Sequence, residues 1–148
     1  MSRLEVFRVS KIINAPLPFA YRWCTDFRED DYKIAGGKMR RLILEKTHRR
    51  AVYITRQIGS KVGTSIGIVT MHPPNRWHYD SIGDQRNVTG KYLLKKLGPG
   101  KVKLEIEFKR TWKIPPAPRR SEFMKHLNRT WDKYIAALER DCRRNLLS

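Results

Sequence analysis

The stretch KIINAPLPFAYRWCTDF, residues 11–27, holds the junction on which the fold turns. Its first residues close a run from 3 to 13 in which Phe7, Val9 and Ile13 share one parity and Leu4, Val6 and Ile12 the other. That pattern predicts a strand with both faces partly covered. Pro16 and Pro18 end it, because proline offers no backbone donor to a neighbouring strand. Phe19, Ala20, Trp23, Cys24 and Phe27 then recur at three- and four-residue spacing, the single apolar stripe of a short helix. A second short helical turn is predicted through REDDYKI, residues 28–34, stopped by Gly36-Gly37.

Beyond residue 38 the texture changes to strands. MRRLILEKT (39–47) and AVYITRQI (51–58) flank the polar turn His48-Arg49-Arg50 as the arms of a hairpin do. TSIGIVTMH (64–72) and RWHYDSI (76–82) flank Pro73-Pro74-Asn75, a stiff turn, and NVTGKYLLKKL (87–97) meets KVKLEIEFKRTW (101–112) across Gly98-Pro99-Gly100. The last run alternates most clearly. Val102, Leu104, Ile106, Phe108, Arg110 and Trp112 share one face, while Lys103, Glu105, Glu107, Lys109, Thr111 and Lys113 share the other, so one sheet face is buried.

Pro115, Pro116 and Pro118 form a connector, and Ser121 suits the N-cap of a helix over 121–147. Phe123, Leu127, Trp131, Tyr134, Ile135, Leu138, Cys142 and Leu146 keep an apolar stripe on that helix for about six turns, enough to cross an entire sheet. The predicted class is α+β: one strand, two short helices, six more antiparallel strands and a long C-terminal helix, with all 148 residues in a single domain. A seven-stranded twisted sheet curved around a straight helix leaves space where its ends diverge from the helix axis.

Composition fits one soluble domain. A chain of 148 residues that is 40% hydrophobic and 31% charged is neither a disordered tail nor a membrane span. No apolar run of about 18 residues occurs and no apolar segment precedes a small-residue cleavage site, so a cytoplasmic location is expected. The two cysteines, Cys24 and Cys142, fall far apart on the apolar sides of helices, where reduced structural thiols are expected. His48, His72, His78 and His126 show no metal-ligand spacing, and no phosphate-cradling or nucleophile-elbow motif is present, so no metal or cofactor is expected and no catalytic residue is assigned.

The element order, with Ile13, Ala15 and Pro16 at the strand-to-helix turn, Trp23 in the first helix and Asp26 at its end, resembles the START/Bet v 1-like (SRPBCC) superfamily. The resemblance covers nearly the whole chain. It implies the helix-grip fold and a cavity between sheet and C-terminal helix for a small hydrophobic or amphipathic ligand. Polyketide cyclase-like enzymes and lipid-transfer carriers share that fold, so the fold alone selects neither. Relatives in the coenzyme Q-binding branch, associated with quinones or ribosomes, add a further implied class of partner.

Arg110 stands out, because alternation sets its guanidinium on the apolar face between Phe108 and Trp112. It either anchors a carboxylate or phosphate within the cavity, or reaches the rim and pairs with Asp80 or Glu45. Trp77 and Tyr79 on one strand, with Tyr92 and Trp131, are candidates to line the cavity or simply to fill the core. His78 and Asp80 share the opposite face of their strand, the pattern of a solvated edge.

Charge opens a different class of function. Lys and Arg number 32 against 14 Asp and Glu, a formal net charge of +18 that draws phosphates and anionic surfaces. Lys125, Arg129 and Lys133 recur at four-residue spacing, where like charges repel. Arg119-Arg120, Arg143-Arg144, Lys38, Arg40, Arg41, His48, Arg49 and Arg50 extend the basic surface. An RNA, a ribosome or an anionic lipid surface is the alternative partner, although no RNA-binding signature is present. A solvated basic face that confers solubility explains the same charges.

Overall fold

The computed structural model describes residues 4–34, 36, 39–57 and 63–147, with the side chains of Tyr32, Leu146 and Leu147 excepted. Strand β1 (Leu4–Ile13) leads into helix α1 (Leu17–Thr25). Then come β2 (Met39–Lys46), β3 (Arg50–Gln57), β4 (Thr64–His72), β5 (Arg76–Gly83), β6 (Arg86–Gly98), β7 (Lys101–Trp112) and helix α2 (Arg120–Leu147). All seven expected strands form. They pair antiparallel in the order β1-β7-β6-β5-β4-β3-β2, an open sheet whose edges are β1 and β2.

The two short helices expected after β1 reduce to one. REDDYKI contributes only a three-residue 3-10 turn at Asp31–Lys33, held by the bond from the Ile34 amide to the Asp31 carbonyl. Asp26, Asp30 and Asp31 lie too close together to sustain a helical stripe, and the Asp31 carboxylate instead accepts the Arg28 backbone amide at 2.9 Å. Gly36 follows at φ +70°, a left-handed position that suits glycine and turns the chain away. Arg3, Gly37, Lys38, Ile58 and the Leu146 side chain, all named in the reading above, lie outside the described residues.

Pairing and burial explain where the core sits. Phe7, Val9 and Ile13 of β1 and Val102, Leu104 and Ile106 of β7 turn inward and are buried. Phe123, Leu127, Ile135, Leu138 and Cys142 of α2 are buried in the same cluster. The Phe7 and Phe123 rings meet at 4.7 Å. Lys11 pairs with Asp132 at 2.8 Å, and the Asn14 amide donates to Glu139 at 2.8 Å, so α2 is tied to the end of β1. Helix α2 thus covers the β1–β7 half of the sheet, and its 28 residues, about 40 Å at the helix rise, run on past it.

Over the other half, aromatic rings stand where a second helix would otherwise pack. Gly67 makes room for two of them: a Cβ there would lie 2.8 Å from Tyr53 Cε2 and 3.0 Å from Tyr79 Cε2. Gly67→Ala is therefore expected to destabilise the protein by about 1–3 kcal/mol through overpacking, read as a lower urea midpoint at unchanged slope.

Candidate ligand-binding cavity

Between the inner face of β2–β7 and the underside of α1 and α2 lies a cavity of about 510 Å3. Its wall is aromatic. Trp77 stacks on Tyr92 with centroids 5.0 Å apart and planes 4° from parallel. Tyr92 meets Trp131 at 5.8 Å, Trp131 meets Tyr134 at 5.4 Å, and Tyr134 meets Trp23 at 6.4 Å. Across the space, Phe27, Tyr53 and Tyr79 form a second array, the two tyrosines stacked at 6.2 Å. Alternation on each strand turns these rings to one face, and α2 contributes Trp131 and Tyr134 from consecutive turns.

Polar groups occupy the two ends. At one end, Arg41 donates to Asp31 at 2.9 Å and to the Arg28 carbonyl at 3.2 Å, and it lies 4.3 Å over the Tyr53 ring. Burial pushes the Asp31 carboxyl up from its ordinary value, against the pull of the Arg28 amide and the Arg41 charge. Nearby, Asp26 accepts from Lys46 at 2.8 Å and Arg28 at 2.9 Å, fastening α1 to β2. The hydrogen bond from Lys46, with further help from Arg28, holds the Asp26 carboxyl below its ordinary value of 3.8. Its contribution is present above the unfolded pKa and is lost as pH falls through the lower folded value. Asp26→Asn should therefore lower the melting temperature at neutral pH, with the difference from the parent shrinking as pH falls below about 4, so that the acid side of the profile flattens.

At the other end sits Arg86, the first residue of β6. It shares the inward parity of Val88, Gly90 and Tyr92, and its guanidinium carbon lies 5.7 Å from the ring centroids of both Trp112 and Phe123. Among the described residues no carboxylate pairs with it and no group hydrogen-bonds its guanidinium. Burial lowers its affinity for its proton from the ordinary value, and the Arg110 charge adds to the effect. His126 of α2 is also held below its usual range, by burial first and then by the Arg86 charge. Thr64, Asp84 and Gln57, which line the cavity here, are exposed, and the cavity reaches solvent between them.

Five of the seven candidate residues, Trp77, Tyr79, Tyr92, Phe108 and Trp131, line this cavity; Arg110 and Trp112 do not. Arg110 is 1% exposed and lies behind the wall. It donates from Nε to Glu5 at 3.1 Å and from Nη2 to the Pro118 carbonyl at 2.6 Å, with the Phe123 ring 4.3 Å away. Neither Asp80 nor Glu45 reaches it: Asp80 pairs with His78 on the outer face, and Glu45 with Arg50. Glu5 is directly opposite Arg110 in the β1–β7 register, and that pairing decided the partner.

The sequence reading missed Arg86, Tyr53 and Tyr134 as cavity residues. Parity would have found Arg86 had the strand been started one residue earlier. Cys24 also lines the cavity, but burial pushes its thiol up to about 12, so it is no nucleophile at neutral pH. Both cysteines are free. The stripe Lys125, Arg129 and Lys133 is exposed on α2.

Solved structures with the same architecture are numerous at low sequence identity. The Zhui aromatase/cyclase from Streptomyces sp. R1128 superposes with a TM-score of 0.73 at 12% identity, covering 97% of this chain and 96% of its own. The fold is the START/Bet v 1-like helix-grip fold. A START superfamily protein from Mycobacterium smegmatis has a TM-score of 0.68 at 16% identity, covering 94% of this chain and 97% of its own. Ara h 8.0201 gives 0.69 at 14% identity, with 93% and 96% covered. No protein-family model matches the sequence, and no curated protein matches it. No described helix is long and apolar enough to cross a membrane.

Proposed function

We propose that the protein binds and carries one small amphipathic molecule, its flat apolar body against the Trp77–Tyr92–Trp131 wall and its anionic end on Arg86. One observation carries this reading: Arg86, without a carboxylate partner among the described residues, lines one end of a cavity of about 510 Å3 whose central wall is aromatic. Arg86 is partly buried against two aromatic rings, and a carboxylate, sulfonate or phosphate entering with a ligand supplies the counter-charge it lacks. The volume falls within the range of small-molecule sites.

Native mass spectrometry on gently purified, nuclease-treated protein washed in high salt tests the reading. Salt strips surface electrostatic partners and leaves a buried ligand. A discrete additional mass, roughly a few hundred daltons, is expected. Protein that remains bare, even after incubation with anionic amphiphiles, would sink it.

A cyclase or dehydratase reaction is the second reading, favoured by Asp31. Its carboxyl lines the cavity beside Arg41, and burial raises its pKa from the ordinary value, the direction a general acid requires. Turnover of a reactive polyketone that Asp31→Asn abolishes, with binding retained, would establish it.

A further inference from the structure

The outward face of the sheet carries a pattern that the cavity does not use. Leu42 of β2 stands opposite Ile54 of β3, Ile54 opposite Ile66 of β4, and Ile66 opposite Ile82 of β5. One rung away Val52 faces Ile68, and Leu44 projects at the β2 bulge between Ile43 and Glu45. A solvated sheet face ordinarily alternates to polar residues here. Instead Leu42, Leu44, Ile66, Ile68 and Ile82 are exposed, Ile82 to 65%. They present on the order of 400 Å2 of contiguous aliphatic surface, the size at which patches on soluble proteins serve as contact sites.

At one end of this row Arg40 lies directly opposite Arg56, both exposed and without a carboxylate partner among the described residues. Like charges opposed across two strands destabilise the pair, and an external anion would relieve them. This is also the end where Ser65 and Gly83, next in the chain to Ile66 and Ile82, line the cavity mouth.

We propose that this face docks the protein on an anionic lipid bilayer, the aliphatic row entering the boundary between headgroups and acyl chains while Arg40 and Arg56 reach lipid phosphates. A second copy of the chain is disfavoured by the net charge of +18 and by area, since a standard interface buries about 800 Å2 per partner, roughly twice this patch. No Phe, Tyr or Trp projects outward from the described strands. The face therefore lacks the aromatic anchors on which protein hot spots rely and the stacking platform that single-stranded nucleic acid needs. Aliphatic side chains bordered by arginine match an anionic membrane surface instead. The inference stands independently of what fills the cavity.

Sedimentation with vesicles tests it. The protein is expected to pellet with vesicles of mixed phosphatidylcholine and phosphatidylglycerol and to stay in solution with phosphatidylcholine alone. Joint Ile66→Thr and Ile82→Thr substitution, which keeps the β-branched shape, should weaken binding about tenfold, as should Arg40→Gln with Arg56→Gln. Lys125→Gln with Arg129→Gln, an equal charge loss on α2, should change it little. Thermal melts identify any variant that has lost its fold, and the arginine pair, on exposed side chains, then carries the test. Equal losses from both charge pairs, no binding to the mixed vesicles, or a dimer by light scattering that the isoleucine variant dissociates would each overturn the proposal. So would an RNA complex that depends on Arg40 and Arg56 in protein that ignores vesicles.

Discussion

Arg86→Leu is expected to weaken binding of anilinonaphthalene sulfonate by about tenfold to a hundredfold and to leave phenylnaphthylamine, the same ring system without the sulfonate, nearly unchanged. The magnitude is that of one or two charge-assisted hydrogen bonds, about 1.5–3 kcal/mol each before desolvation. The leucine fills similar space beside Trp112 and Phe123, so the variant should fold as well as the parent or better, having lost an unpaired charge. Fluorescence titration of both probes measures the ratio of affinities, which cancels general changes in the cavity. Equal weakening of the two probes would show that Arg86 shapes the space and does not hold the anion, and would remove the main support for an anionic ligand.

The second large effect is on stability. Glu5→Ala leaves the Arg110 guanidinium, whose side chain is 0% exposed, without its only carboxylate partner among the described residues. Breaking such a pair from one side costs about 3 kcal/mol, toward the lower end of the usual range because Glu5 itself retains 23% side-chain exposure. Arg110 also holds the Pro118 carbonyl at 2.6 Å, so the connector that delivers α2 loosens with it. Replacing both members, Glu5→Leu with Arg110→Met, should recover most of the loss, because apolar groups of matched volume remove the desolvation penalty of both charges. Urea unfolding of Glu5→Leu, Arg110→Met and the double variant closes the cycle. If Glu5→Ala costs less than about 1 kcal/mol, the pair is a surface-like contact and the account of Arg110 fails. Arg110→Leu alone should retain uptake of both probes, since Arg110 lies off the cavity wall.

Strand periodicity made most of this architecture legible. β7 alternates without a break from Val102 to Trp112, and its pairing with β1 and β6 follows from that one face. The long helix was equally plain, because its stripe runs far beyond what chance supplies. The second short helix after α1 was not, since three aspartates within six residues favour local turns over helix and the sequence gives no strong competing signal. Aromatic cavity residues on strands were visible as alternating positions, but alternation says only which side of the sheet a residue takes. Whether α2 covers it or leaves it over empty space depends on where the helix crosses. Arg110 and Arg86 show that limit well: both face inward near one end of the sheet, yet the helix seals one and the cavity exposes the other.

The cavity also carries its own reporters. Of the four tryptophans, Trp23, Trp77 and Trp131 line it, and the fourth, Trp112, lies beneath the Arg86 guanidinium. Any occupant must therefore change the surroundings of nearly every indole in the molecule at once. The near-parallel Trp77–Tyr92 pair should give a near-ultraviolet dichroism band that moves with filling. Unlabelled protein thus supplies an optical assay with which candidate ligands can be ranked before any of them is modified.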